Sequence, residues 1–473
     1  MNMAKSSPAR EDASAEIAGF VAGIGFDDLP ADLLRTVKHG IFDTIGVMLA
    51  GSGTSAARAV QRVAAAWGGN PDSTVIGTSL RLPTVSTGFA NGAAAHQYDF
   101  DDTHDAAVVH PTANSLSAAL ALTEAKPDAS GRLLLEAIAA ANEVTSRLGL
   151  AIKGNLFDYP WTRPPILGTY GAAAAAARVL GLDAERTRSA FGLTLHQTCN
   201  TLECLYAPGS EVRGLRDGFS VRNGITAALM AKEGIVGDST AFEGRFGLFN
   251  AFFRGEYDRT ALVEGLGERF AATDVSIKPW PSARETHATI HCALELREEN
   301  AIDPATIEAI VLTVGGPNLE FCEPGAQRKR PARRMDALSS LPFAVAVAMV
   351  RGRVGLESYT DAAIRDAAVL AMADRISWRL DETIAEGTIE GGRVEVTLKD
   401  GRKLQGAARH GFGHPGQPLP DNVRRAKFED CVSVMPEPIP SSQIDRIAET
   451  VDRLEYLPVS ALAEALAING KQA

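Results

Sequence analysis

The 473-residue chain is 45% hydrophobic and 6% aromatic, and it carries a formal net charge of −11. That length can bury a large core and predicts more than one domain. The acidic balance argues against nucleic acid or an anionic membrane surface as the general partner, so an anionic ligand requires a local cluster of arginine and lysine. The five cysteines include no CxxC pair, which disfavours a zinc ribbon, a disulfide framework or an iron–sulfur cluster. No uninterrupted apolar run reaches transmembrane length. The N-terminus lacks an apolar h-region and the cysteine count is odd, so the expected compartment is cytoplasmic.

From about Ala15 to Phe253 nearly every segment reads as helix. Apolar residues at helical spacing (Val37, Ile41, Ile45, Met48) run from Leu33 to Leu49, with Gly51 as the expected stop. Further helices are predicted over 133–151, 170–180, 183–195 and 220–233, with Gly181 as a C-cap and Asp183 as an N-cap. The pattern changes near Ser276. Residues 307–314 are rich in β-branched side chains and predict a strand. The Asp400-Gly401 turn inside 393–406 predicts a hairpin. Helical runs at 340–350 and 359–372 lie between them, and 441–466 returns to helix. The fold class predicted is mainly α: an all-α helical domain built from residues 1–274 and 409–473, interrupted by an inserted α+β lid domain over 275–408.

Acid/base chemistry concentrates between Ala95 and Ser115, in AHQYDFDDTHDAAVVHPTANS. This segment lies between a small-residue helix and an apolar one. A polar group left unpaired there costs about 1–3 kcal/mol, so these side chains must find partners or do work. His110 precedes Pro111, which favours the first position of a helix, and the helix dipole disfavours a charged imidazole there. Such a neutral histidine is a usable general base, the alternative being a simple helix cap. Asp99 and Thr103 are spaced to share one face of a helical turn. Asp101, Asp102 and His104 could instead ligate magnesium or manganese.

Several stretches, in order from about residue 38 to 430, resemble the MmgE/PrpD family. They are GFANGAAAHQYDFDDTH…VVHPT, GTYGAAAAAARVLGLD, RNGITAALMAKEGIVG, KPWPSARETHATI and GHPGQPL…AKF. The family includes 2-methylcitrate dehydratase, cis-aconitate decarboxylase and iminodisuccinate epimerase. The resemblance implies an all-α domain with an α+β lid, a homodimer, a site between the domains, and chemistry on a small polycarboxylate without metal or other cofactor. It also implies roles for Asp99, Thr103 and His110. Three positions depart from the decarboxylase-like pattern. A lysine is replaced by Arg213, the histidine of the KPWP segment falls at Ala283, and a His-Pro pair is replaced within Trp161-Thr162-Arg163-Pro164-Pro165.

The predicted catalytic residues are therefore His110, Asp99, Thr103 and His287, with His287 as the next acid or base. Arg213, Lys278, Arg284 and Arg163 are the predicted substrate carboxylate ligands, because guanidinium groups bind carboxylates with paired hydrogen bonds and lysine adds a compact charge. Tyr170 on its Ala-rich helix reads as core, and the basic run from Arg328 to Arg334 as a solvated loop or an entrance rim. No phosphate loop follows a strand and no nucleophile elbow is present. The expected activity is a cofactor-independent lyase, preferably eliminating water from a di- or tricarboxylate. Epimerisation, decarboxylation and an inactive carboxylate-binding homologue remain open.

Overall fold

The computed structural model describes residues 11–207, 209–384 and 388–468. Its larger part is helical and its smaller part joins helices to a short sheet. The long helices of the first part are α1 (Ala31–Ser52), α2 (Thr84–Ala95), α3 (Pro111–Glu124), α4 (Gly131–Ala151), α5 (Arg163–Leu180) and α6 (Val212–Lys232). α3 and α5 are buried almost all round, which explains why their sequences show so little amphipathic pattern. Their alanine and glycine content lets α3, α4, α6 and α2 pack closely around them. α5 begins before the predicted Tyr170, because Pro164 and Pro165 occupy its first turn, where no backbone N–H is needed. Gly181 caps it in the left-handed conformation, and the Asp183 carboxylate accepts from Arg186 N at 2.8 Å to start the next helix.

Two further predicted boundaries differ from those observed, both at glycines. α1 runs through Gly51, its expected stop, to Ser52, and α6 starts at Val212 rather than Ser220, so that it includes Gly218. Both glycines serve close approach. A Cβ on Gly51 would lie 2.0 Å from the Ala94 carbonyl oxygen, and one on Gly218 would lie 2.7 Å from that of Phe89. Tertiary packing thus overrides weak helix propensity. The consequence for function is direct, since the extended start of α6 carries Arg213, Arg216 and Asp217.

The second part contains α7 (His287–Glu299), β1 (Ile307–Val314), α8 (Leu341–Arg351), β2 (Ile376–Leu380), β3 (Gly392–Leu398) and β4 (Lys403–Ala408). The sheet order is β2-β1-β3-β4, with β1–β2 parallel and the other two pairs antiparallel. The predicted strand and hairpin are present. β2 was not foreseen, being short and exposed along most of its length. The predicted helix over 359–372 is broken, because the Asp366 carboxylate caps a new helix by accepting from Ala368 N. Helices α9 (Asp421–Ser433), α10 (Ser441–Asp452) and α11 (Val459–Leu466) complete the chain. One apolar core gathers residues between Ala13 and Ala272 together with Phe428 to Leu466. A second gathers residues between Trp280 and Leu398.

Replacing Gly218 by valine forces its side chain into the α2 backbone. Overpacking of this kind costs about 1–3 kcal/mol. Chemical denaturation of Gly218→Val is expected to show a clearly lowered midpoint; an unchanged midpoint would mean that the two helices separate freely.

Candidate active site

The loop between α2 and α3 carries the acid-rich motif, and it is not a helical turn. Asp99 adopts φ +48°, a strained conformation for a side chain with a Cβ. Thr103 instead forms an antiparallel bridge with Ser276, through hydrogen bonds of 3.0 and 2.7 Å between their main-chain groups. This bridge stitches the motif to the KPWP segment and delivers Lys278 to Asp99. Asp99 and Thr103 still reach the same cavity, through loop geometry rather than helical spacing.

Asp99 is the electrostatic centre. Its Oδ1 accepts from Lys278 Nζ at 2.5 Å and its Oδ2 from Arg213 Nη2 at 2.5 Å, while Lys278 also donates to the Asp99 carbonyl at 2.8 Å. Burial would raise this carboxyl, but Lys278 and Arg213 outweigh it and hold the group well below the usual carboxylate range. Asp99 is therefore a fixed anion. Lys278 is fully buried and spent on it, whereas Arg213 Nε and Nη1 have no partner among the described residues.

His110 is the residue before α3, as expected. Its Nδ1 donates to the Asp102 carbonyl at 2.9 Å and lies 3.2 Å from Asp101 Oδ2. That contact assigns the proton to Nδ1 and leaves Nε2 with its lone pair. Burial above all lowers the His110 pKa to about 3, assisted by Lys278, His96 and Arg216, while Asp101 opposes the shift. Behind His110, Asp101 Oδ1 pairs with His96 Nδ1 at 2.8 Å, and Asp217 Oδ2 lies 3.8 Å from the same nitrogen. Burial lowers His96 to about 3 as well.

A narrow cavity of about 40 Å³ is lined by Asp99, Thr103, His110, Arg213, Arg216, Arg284 and Glu285, with Leu156, Phe321 and Ile389 among its apolar walls. Larger clefts exist, including one of about 590 Å³ at Glu124 and Lys126, but that one holds none of the acid-rich motif. Buried polar atoms without a protein partner gather around the smaller cavity: Thr103 Oγ1, Arg213 Nε and Nη1, and Arg216 Nε. A pocket with several such atoms is ready to bind something polar.

The other predicted residues are placed differently. Arg284 reaches the cavity wall, but its guanidinium is consumed by both oxygens of Asp105, by Glu390 Oε1 at 3.1 Å and by Ser276 Oγ. His287 lies behind it, with Nδ1 3.3 Å from Arg284 and Nε2 3.4 Å from the Ser282 carbonyl, and does not line the cavity. Burial and the adjacent Arg284 hold its pKa well below the usual histidine value. Arg163 lines an outer cleft that shares Val108, Leu156 and Ile389 with the inner cavity, and it donates to the Gly154 carbonyl. Tyr170 is core, packed on Phe191 and Phe242. Arg328 is buried by three main-chain carbonyls rather than solvated.

Asp101, Asp102 and His104 do not converge on one point. Asp101 faces the two histidines, Asp102 accepts from Thr112 N at the start of α3, and His104 is held by Ala271 and Ala107. A different trio, His96, Asp99 and His110, brings ligating atoms within 4.8 Å of one another, but Lys278 and Arg213 already neutralise its carboxylate. Sequence reasoning missed His96, Arg216, Asp217 and Glu285. The first lay inside the quoted motif, and the arginine and aspartate would have stood out had α6 been extended across its glycines.

The chain is similar to Cis-aconitate decarboxylase-like protein oryM of Aspergillus oryzae, at 27% identity over 96% of this chain and 97% of the relative. It is similar to cis-aconitate decarboxylase of Mus musculus at 27% identity, covering 93% and 90%. A 2-methylcitrate dehydratase of Yarrowia lipolytica is 24% identical over 70% of this chain and 66% of its own length. The MmgE/PrpD N-terminal domain matches residues 15–260 and the C-terminal domain residues 280–454. Together these two matches span most of the sequence, and the chain belongs to the MmgE/PrpD family.

Proposed function

We propose that this chain is a cofactor-independent lyase acting on a small tri- or dicarboxylate, abstracting a proton next to a carboxyl group and eliminating water. One observation carries the reading: the cavity sets a neutral imidazole, His110, beside two buried arginines with unused donors. Arg213 and Arg216 bind substrate carboxylates, and the carboxylate flanking the reacting carbon spreads the negative charge that develops as the proton leaves. Thr103 Oγ1 orients a carboxylate or hydroxyl. Asp99 positions Arg213 instead of transferring protons. Arrival of a polyanion raises the basicity of His110, and Asp101 stabilises the imidazolium once formed.

A second reading is decarboxylation of cis-aconitate, favoured by the names of the Aspergillus oryzae and Mus musculus relatives. Against it stand Arg213 and Ala283, where decarboxylase-like members carry a lysine and a histidine. Guanidinium is a poor proton donor and alanine offers no proton at all. Epimerisation would use the same carbanion-like intermediate. An inactive binding homologue would bind carboxylates without proton exchange. The separate apolar cores support a two-domain enzyme divided near residues 274 and 408, and we propose that it acts in the cytoplasm as a homodimer.

His110→Ala is expected to lower turnover by about 10²–10⁴-fold, the usual contribution of a general base. Near wild-type turnover would remove His110 from the mechanism. Arg216→Gln should raise KM about tenfold or more while leaving the melting temperature nearly unchanged, since a hydrogen bond to a charged group contributes about 1.5–3 kcal/mol. NMR assays of citrate, 2-methylcitrate, cis-aconitate and iminodisuccinate are expected to detect elimination or proton exchange and at most traces of itaconate. Vigorous itaconate formation would replace the first reading by the second. Activity should also survive exhaustive chelation; loss in EDTA, restored by one divalent ion, would place a metal among the carboxylates.

A further inference from the structure

Arg284 and Glu285 lie in the turn that leads into α7 and His287 is its first residue, and the fold sends them to different places. Arg284 is locked between Asp105 and Glu390, and His287 sits behind it. Glu285 lines the cavity with His110, Thr103, Arg213 and Arg216. Its backbone is pinned, because its carbonyl accepts from Asn318 Nδ2 at 2.7 Å. Only 7% of the residue is exposed, and among the described residues its carboxyl forms no ion pair. Lys278, Arg213 and Arg284 all stand nearby, yet each is already engaged by another carboxylate.

We propose that Glu285 is the general acid of this site, protonating the oxygen that leaves the substrate while His110 takes the proton from carbon. This rests on the lyase reading above. Burial raises the Glu285 carboxyl to about 7 and Asp99 pushes the same way, against its own backbone hydrogen bond, Arg213 and Lys278. Two carboxyls on one wall are thereby driven apart, Asp99 ionised and Glu285 able to hold a proton near neutrality. In the step itself, His110 binds the proton and the C–H electron pair stays on carbon, delocalised into the neighbouring carboxylate, before it forms the C=C bond. The C–O bond breaks with its electron pair on oxygen, and that oxygen takes the Glu285 proton and departs as water. The products are an alkene, water, imidazolium and carboxylate. Loss of the imidazolium proton to solvent and uptake of one by Glu285 restore the starting state. The acid is one that the departures at Arg213 and Ala283 would otherwise leave missing.

The test is Glu285→Gln, which keeps size and shape but has no proton to give, with Glu285→Asp as the conservative partner and a thermal melt to verify folding. Citrate, 2-methylcitrate and cis-aconitate are the probes, followed by NMR in heavy water. Glu285→Gln is expected to lose about 10²–10⁴-fold in elimination while retaining exchange of the carbon-bound proton, and Glu285→Asp to recover part of the loss. In the wild type, elimination should fall as pH rises through about 7, because the acid must be protonated, and this alkaline limb should vanish in Glu285→Gln. Infrared difference spectra, independent of any substrate, should show a protonated carboxyl band titrating near neutrality that Glu285→Gln removes, leaving the band of Asp102, whose carboxyl burial also raises to about 7. Unchanged turnover and pH profile in Glu285→Gln, or equal loss of exchange and elimination, would overturn the assignment while His110 keeps its role. If the wild type neither exchanges nor converts any probe, the lyase reading falls and the role of Glu285 falls with it.

Discussion

A single carboxylate, Asp99, determines how the rest of the site is arranged. Lys278 comes from the segment entering the second apolar core and Arg213 from the start of α6, and both are drawn to it at 2.5 Å. None of the three charges could be buried alone, since an isolated buried ion carries a desolvation penalty of several kcal/mol. Together they are compatible with the interior. Arg213 is then fixed with one nitrogen spent and two free. A chain of net negative charge thereby gathers a local cluster of positive charge in its interior.

A second ion cluster has a different function. Arg284 joins Asp105 of the acid-rich loop to Glu390 at the entry of β3, and Glu390 also accepts from Gly411 N and pairs with His410. These groups tie the loop, the sheet and the segment after β4 into one wall. A guanidinium held by two carboxylates has little left for a third, so the same residue type plays opposite parts at positions 213 and 284. Residue identity alone could not distinguish them; hydrogen-bond partners do.

Much of the architecture was legible because it rests on local rules. The Asp400-Gly401 hairpin, the β1 strand, the Gly181 and Asp183 caps and His110 before Pro111 all follow from turn and capping chemistry. Two of the misread helix ends lie at glycines: Gly51 is the expected stop and Gly218 falls in the unpredicted start of α6, and only the facing backbones explain why glycine stands there inside helices. With α6 cut short, Arg213 lost its helix and Arg216 and Asp217 went unnoticed. The placement of His287 was equally hidden, since Glu285 lies two residues before it and only three-dimensional packing decides which of them reaches the cavity.

The proton inventory of the cavity limits the chemistry available there. Asp99 is held ionised, and Arg284 is bound by Asp105 and Glu390. Among the lining groups, the neutral His110 is placed to accept a proton and Glu285 to hold one near neutrality, with the Thr103 hydroxyl as a donor of hydrogen bonds. One is an imidazole stripped of its charge by burial, the other a carboxyl moved toward neutrality by the same burial. A single physical cause, burial, therefore lowers the one group and raises the other. In the proposed reaction these are the base and the acid, and Arg213 and Arg216 hold the substrate carboxylates.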